Sequence, residues 1–177
     1  MKTRMGTWIV PAAVLSALAA LVGCGSGGQA TDVNGIIDRI GVDKGYCVIL
    51  GDTDCRISIE LAHQTDLVLY LQTPDRRDAD RLRRAADEAG LYGSRIFVDS
   101  GSLSRIHLAD DIADALVAID NVAVSREEAI RVIHPGGVAL MGRERLTKPV
   151  PDGVDDWTHP YHGPDNNPQS NDRIARA

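Results

Sequence analysis

The stretch Cys47-Val48-Ile49-Leu50-Gly51-Asp52-Thr53-Asp54-Cys55 constrains the fold more than any other part of the chain. A short apolar run ends in a glycine, and a small polar loop leads into a second amphipathic segment. A strand buried in a parallel sheet reads this way, and it delivers the chain to the rim where α/β domains bind ligands. Further aliphatic runs follow at Asp66 to Leu71, Ile96 to Val98, Ala115 to Ile119 and Val138 to Met141. Helical patterns alternate with them to about residue 142. That alternation predicts an α/β, Rossmann-like three-layer sandwich. Its sheet is expected to be mostly parallel and five-stranded, in the order 3-2-1-4-5.

The segments between the strands carry helix punctuation. Thr31 or Asp32 can cap a short helix that presents Val33, Ile36, Ile37 and Ile40 on one face and stops at Gly41. Cys55 to Gln64 fits a strand or a helix, and the strand on either side of it tips the balance to helix. Thr73 as N-cap, Pro74 in the first turn and Gly90 at the end frame another helix, whose charges form a solvated face. Ser125 with Glu128 reads as a capping box, so a helix should run to about Ile133 and stop at His134-Pro135-Gly136-Gly137. Leu103 and Ile106 are expected to tuck under the loop that follows the third strand.

Bulk properties exclude some functions. Net charge is −6, and acids and bases are intermixed, so no basic face marks a nucleic-acid partner. Aromatic residues make up 4% of the 177 residues, too few for stacking platforms, and the core must come from Ile, Val, Leu and Ala. Residues 1–23 read as a signal peptide: Lys2 and Arg4 precede an apolar run from Trp8 to Ala20 that is too short to span a bilayer comfortably. Leu21-Val22-Gly23-Cys24 then matches a bacterial lipoprotein signal, with Cys24 as the lipidated residue. Residues 24–30 are a Gly/Ser-rich tether, 31–145 the domain and 146–177 an irregular linker. The expected location is the bacterial cell envelope, facing the periplasm or exterior and anchored to the membrane through Cys24. Cys47 and Cys55 sit too far apart along a strand to bridge, and they read as buried or half-buried thiols.

Ligand groups of such a sheet gather at the carboxyl ends of its strands. Those ends carry Gly51, Asp52, Thr53, Gln72, Asp99, Ser100, Asp120 and Asn121. A nucleoside cofactor needs glycines in the first loop and a carboxylate at the end of the second strand for the ribose hydroxyls. Thr53 and Cys55 place side chains where glycine would leave space, and Gln72 is not an anionic acceptor. His159 and His162, with Asp155, Asp156 and Asp165, lie on a segment without a rigid scaffold and read as linker, so no metal site is expected. His63, His107 and His134 have no partner visible from spacing.

Residues from Tyr46 to Met141 resemble the class I S-adenosylmethionine-dependent methyltransferases. Val48 to Cys55 looks like that family's first motif, a hydrophobic run followed by Gly-x-Gly-x-Gly, with Gly51 alone of the three glycines. Gln72 falls where the family has its ribose-binding acid, and Asp99 where an acid contacts the adenine amino group. Asp110 to Val117 looks like the approach to the fourth strand. Ile133-His134-Pro135-Gly136-Gly137-Val138 is similar to the turn before the fifth. The tail, from Pro151 through Trp157 and His159 to Asn167, resembles the junction before a PQQ-type β-propeller in large secreted bacterial proteins.

The resemblance implies S-adenosylmethionine as cofactor at Gly51, Asp52, Thr53, Gln72, Asp99 and Asp120, if the cleft is functional. The eroded loop, the absent acid and the missing sixth and seventh strands predict instead a domain with no cofactor and no catalytic residue. Its expected role is that of a scaffold or docking module, with a β-propeller or another envelope protein as partner. The alternatives are an active methyltransferase and a module that binds a nucleoside or small metabolite through Asp99 and Asp120.

Overall fold

The computed structural model describes residues 32–119 and 122–154, together with Pro164 and Arg173. Cys24 and its tether, Asp120, Asp155, Asp156, His159, His162 and Asp165 lie outside the described residues. The elements run α1 (Val33–Ile40), β1 (Lys44–Leu50), α2 (Arg56–Gln64), β2 (Asp66–Thr73), α3 (Arg76–Glu88) and β3 (Ile96–Ser100), followed by β4 (Ala113–Ala118), α4 (Arg126–Val132), β5 (Ile133–Met141) and β6 (Glu144–Thr147). They build one sheet in the order β3-β2-β1-β4-β5-β6. Neighbours from β3 to β5 are parallel. Among the described residues, no helix is long and apolar enough to cross a membrane.

Alternation along β1 sends its side chains to two cores. Cys47 and Ile49 face one side, where Val33, Ile36 and Ile40 of α1, Leu61 of α2 and Leu82 of α3 pack on them. Val48 and Leu50 face the other, covered by Ala129 and Val132 of α4 and by Ile106. Leu103 packs at the edge of this second core, as its spacing suggested. The ambiguous stretch after Gly51 is helix α2, which buries Ile57 and Leu61 on one face.

Among the described residues the second face has one helix, because the chain from Gly101 to Ile112 crosses back to β4 without forming another. Its anchor is a buried ion pair. Glu128 of α4 accepts from the Ile106 backbone N–H at 2.6 Å and from Arg131 at 2.6 and 2.8 Å. Arg131 also donates to the carbonyls of Ile106 and Leu108. Ser125 caps α4 by accepting from the Glu128 N–H, but the Glu128 side chain does not return the bond as a capping box would. It is committed to the crossover chain instead.

Three further sequence expectations need correction. The sheet has six strands, not five: a two-residue turn at Gly142 and Arg143 brings the chain back as antiparallel β6, whose register pairs Met141 with Glu144. β6 buries only Leu146, so its sequence carries no apolar run, and the strand continues two residues past residue 145. His134 to Gly137 belongs to β5 rather than to a turn. Its irregularity is absorbed as a register shift against Ala113 and Ala115, and Lys148 extends the ladder through Gly136 and Gly137. The N-cap of α3 is Asp75, which accepts from the Arg77 N–H at 2.7 Å; Thr73 remains in β2 and Pro74 precedes the cap.

Candidate functional site

The site expected from the sequence lies where β1 and β2 end. Gly51 leaves β1 with φ of +90°, and a Cβ there would stand 2.5 Å from the Ile119 carbonyl oxygen. Only glycine suits both the conformation and the approach. The next residue turns inward. Asp52 is 5% exposed, and its Oδ2 accepts from the Ser58 backbone N–H at 2.7 Å and the Ser58 hydroxyl at 2.6 Å. Ser58 lies in the first turn of α2, so the carboxylate occupies the helix N-terminus, a place that attracts ligand anions. Burial pushes the Asp52 carboxyl up, the two Ser58 bonds oppose the rise, and Asp54 adds to it. Asp52 Oδ1 has no hydrogen-bond partner among the described residues.

Cys55 does not crowd the cleft. It adopts φ of +63° ahead of α2 and is buried in the first core beside Cys47 and Ile49. Burial pushes both thiols up to about 12. A thiolate is the reactive form, so neither cysteine should react in the folded protein at pH ~8. Labelling with a maleimide followed by peptide mass mapping is expected to modify Cys47 and Cys55 only after denaturant is added.

Gln72 is 2% exposed and uses its whole carboxamide. Nε2 donates to the carbonyls of Ser102 and Arg105 at 2.9 and 3.0 Å. Oε1 accepts from the His107 backbone N–H at 2.8 Å and the Tyr70 hydroxyl at 3.1 Å. Two carbonyls on one side and an N–H on the other dictate which end of the amide is which. Asp99 accepts from Ser100 N–H at 2.7 Å and holds the His107 ring through Nδ1 at 2.8 Å. The His107 bond first, and then that N–H, keep the Asp99 carboxyl below the usual range. A Cβ at Gly101 would meet the His107 ring, so a side chain there would have to displace that half-exposed ring from Asp99.

His107 therefore has a partner that spacing did not reveal. His134 has one as well: its Nε2 lies 3.1 Å from Asp114 Oδ1, at the opposite end of the strands. The structure brings Gly51, Asp52, Thr53 and Gln72 around one cavity of about 30 Å³. Thr73, Asp78, Ile49, Leu71 and Leu82 complete its lining. Asp99 joins Gln72 through Tyr70 and His107 rather than through the cavity. A site for a small molecule spans roughly 300–1,000 Å³, so the cavity accepts about one water-sized group. Ser58, Tyr70, Asp78 and His107 were missed by sequence reasoning. Only Tyr70 left a signal, two residues before Gln72 on the same face of β2.

No family model matches the chain, and no curated protein does. Solved structures do. One is a protein from Methanococcus maripaludis assigned as an S-adenosyl-L-methionine-dependent methyltransferase, with TM-score 0.55 and 26% identity over 60% of this chain and 51% of that one. Another is the [4+2]-cyclase SpnF, with TM-score 0.55 and 19% identity over 60% of this chain and 42% of that one. A third is a methyltransferase from Geobacter sulfurreducens in complex with S-adenosyl-L-homocysteine, with TM-score 0.51 and 18% identity, covering 60% and 45% of the two chains. The chain spans about half the length of these proteins. Its domain has the fold of the class I S-adenosylmethionine-dependent methyltransferases.

Proposed function

We propose that this chain is a lipid-anchored envelope protein whose methyltransferase-like domain is a non-catalytic scaffold or docking module. The observation that carries the reading is Gln72. At the position where the fold's relatives would hold ribose hydroxyls, both protons and both acceptor sites of the carboxamide are spent on Tyr70 and residues 102–107. Asp52 supports it from the other side of the cleft, because its carboxylate fills the helix N-terminus. A nucleoside would have to displace a loop held by several mutually supporting bonds, each worth about 1 kcal/mol.

Other members of the fold carry different chemistry, as the name of SpnF indicates, and a fold by itself sets no function. The anchor in this proposal is Cys24, and residues 146–177 are the segment that links or docks the domain to a β-propeller or another envelope protein. Calorimetric titration of the full chain with S-adenosylmethionine is expected to show no binding at millimolar ligand. Micromolar affinity would establish the alternative, an active methyltransferase that binds the cofactor at Gly51, Asp52, Gln72 and Asp99. Replacing Cys24 by serine should shift the protein from the membrane to the soluble fraction, and unchanged fractionation would remove the anchor.

A further inference from the structure

The two edges of the sheet are finished differently. β3 is closed along its outer side: the Ile96 N–H donates to the Leu91 carbonyl at 3.0 Å, and the Ile96 carbonyl accepts from the Gly93 N–H at 3.0 Å. Arg83 of α3 donates to the Val98 carbonyl at 3.0 and 3.2 Å. β6, at the other end, carries no such cover among the described residues. The Lys148 N–H and carbonyl bond to Gly137 and Gly136 of β5, so Leu146 and Glu144, on alternate positions before it, turn the same way. The backbone groups of Arg145 and Thr147 therefore point away from the sheet, and nothing bonds them among the described residues. Such a row of unpaired N–H and carbonyl groups is a template for one more strand.

Positive charge lines this template. Arg145 donates through Nε to the Arg39 carbonyl at 2.9 Å, and Arg39 donates through Nη2 to the Gly142 carbonyl at 3.1 Å. Both border the β5–β6 turn, which also carries Arg143. Arg39, Arg143 and Arg145 are exposed, and none has a carboxylate partner among the described residues. Glu144, the acid of the turn, is taken by Arg126 at 3.1 Å. The chain as a whole is acidic, with a net charge of −6, so this grouping of arginines stands apart from the rest of its surface.

We propose that β6 accepts an extended acidic segment of a partner protein as an added edge strand. The register follows from the alternation. In an antiparallel pairing, alternate residues of the partner would exchange hydrogen bonds with Arg145 and Thr147, and their side chains would share the face on which Arg145 meets α1. Carboxylates suit these positions. The partner residue between them would stand opposite Leu146, at the margin of the second core, and an aliphatic side chain suits it. The recognised pattern is thus acid, aliphatic, acid. Pro149 has no N–H, so the ladder ends at Thr147 in that direction. Pairing β6 with β6 of a second copy would bring two Arg145 side chains onto one face, where like charges repel. The inference goes beyond the scaffold reading: β1, β4 and β5 lie between β6 and Gln72 in β2, so the edge is available whether or not the cleft binds a nucleoside.

The test is titration of the full chain with the peptide acetyl-Glu-Val-Glu-Val-Glu-amide, followed by calorimetry and by amide hydrogen exchange. The same peptide with lysine for glutamate tests the charge, and the glutamate peptide N-methylated at its glutamates tests the main-chain bonds. The first is expected to bind at submillimolar concentration and to slow exchange at the Arg145 and Thr147 amides, and the other two are not expected to bind. Arg145→Glu should weaken binding about tenfold by replacing an attraction with a repulsion. Thr147→Pro removes an outward N–H that β5 does not use, which an edge strand tolerates, and should weaken binding about tenfold as well. If Thr147→Pro does not fold, the N-methylated peptide answers the same question. No binding by the wild type, equal binding of the lysine or N-methylated peptide, protection away from β6, or affinity unchanged in both variants would each overturn the proposal. Titration of the same sample with S-adenosylmethionine reads the scaffold proposal separately.

Discussion

Replacing Gln72 by glutamate is expected to lower the stability of the domain by about 3–5 kcal/mol, the cost of an unpaired buried charge, without creating affinity for S-adenosylmethionine. The substitution restores the side chain that a ribose site would use, at the residue where the resemblance places it. The environment works against it. Two of the four groups that Gln72 meets are carbonyl oxygens, of Ser102 and Arg105, and each needs a donor. A carboxylate offers neither donor and adds repulsion in a site that is 2% exposed. It will meet that conflict by holding a proton, so its folded pKa lies above the unfolded value. The sign is then definite. Relative to wild type the variant is least handicapped below pH ~4.3, where glutamate is protonated in both states, and the deficit grows as pH rises. Denaturant titrations of both proteins between acidic and neutral pH measure the gap. A variant as stable as wild type at neutral pH would show that residues 102–107 leave Gln72 easily, and the scaffold reading would lose its main support.

The same residue shows where sequence reading stops. Gln72 is visible as the wrong side chain for a ribose site, but what it binds lies 30 to 35 residues away in a loop with no periodicity. The parallel core was legible because the strands from β1 to β4 carry apolar runs, and helices are marked by caps such as Asp32 ahead of α1, which accepts from the Asn34 N–H at 3.1 Å, and Ser125 ahead of the crossover helix α4, which accepts from the Glu128 N–H at 3.1 Å. β6 was not legible, since an edge strand with one buried residue needs no apolar pattern. Thr53 and Cys55 were read as the groups that crowd the first loop. The occupant is Asp52, because a left-handed backbone at Cys55 turns that thiol into the core. Local patterns report which face is buried. They do not report which polar groups satisfy one another across the rim, and that matching decides whether a cleft is open.

The loop over Gln72 stays in place through α4, so Glu128→Ala should be as damaging as any change at the cleft. A loss of about 3–5 kcal/mol is expected from breaking a buried pair while leaving the partner charge behind. The stranded group is Arg131, whose side chain is 14% exposed, and the Ile106 N–H loses its acceptor as well. Arg131 would retain Asp110 and two carbonyls, but Asp110 is largely solvated and screens poorly for a guanidinium that faces inward. Replacing both partners, as in Glu128→Leu with Arg131→Met, should cost less than the single change, because no charge is then left buried. The gap to wild type again widens as pH rises, but for the reverse reason: here a carboxylate that the fold favours is removed, whereas Gln72→Glu adds one that the fold disfavours. Bonding from Arg131 first, and then the Ile106 N–H, hold the Glu128 carboxyl below its ordinary value in the folded chain. Its contribution is therefore complete above the unfolded value of about 4.3 and is lost as pH falls through the lower folded value. Stability curves of wild type and Glu128→Ala should run apart at neutral pH and converge in acid. Curves that stay parallel to the lowest pH would mean that the carboxylate does not hold the crossover chain. In that case the closure of the cleft rests on Gln72 and Asp99 alone.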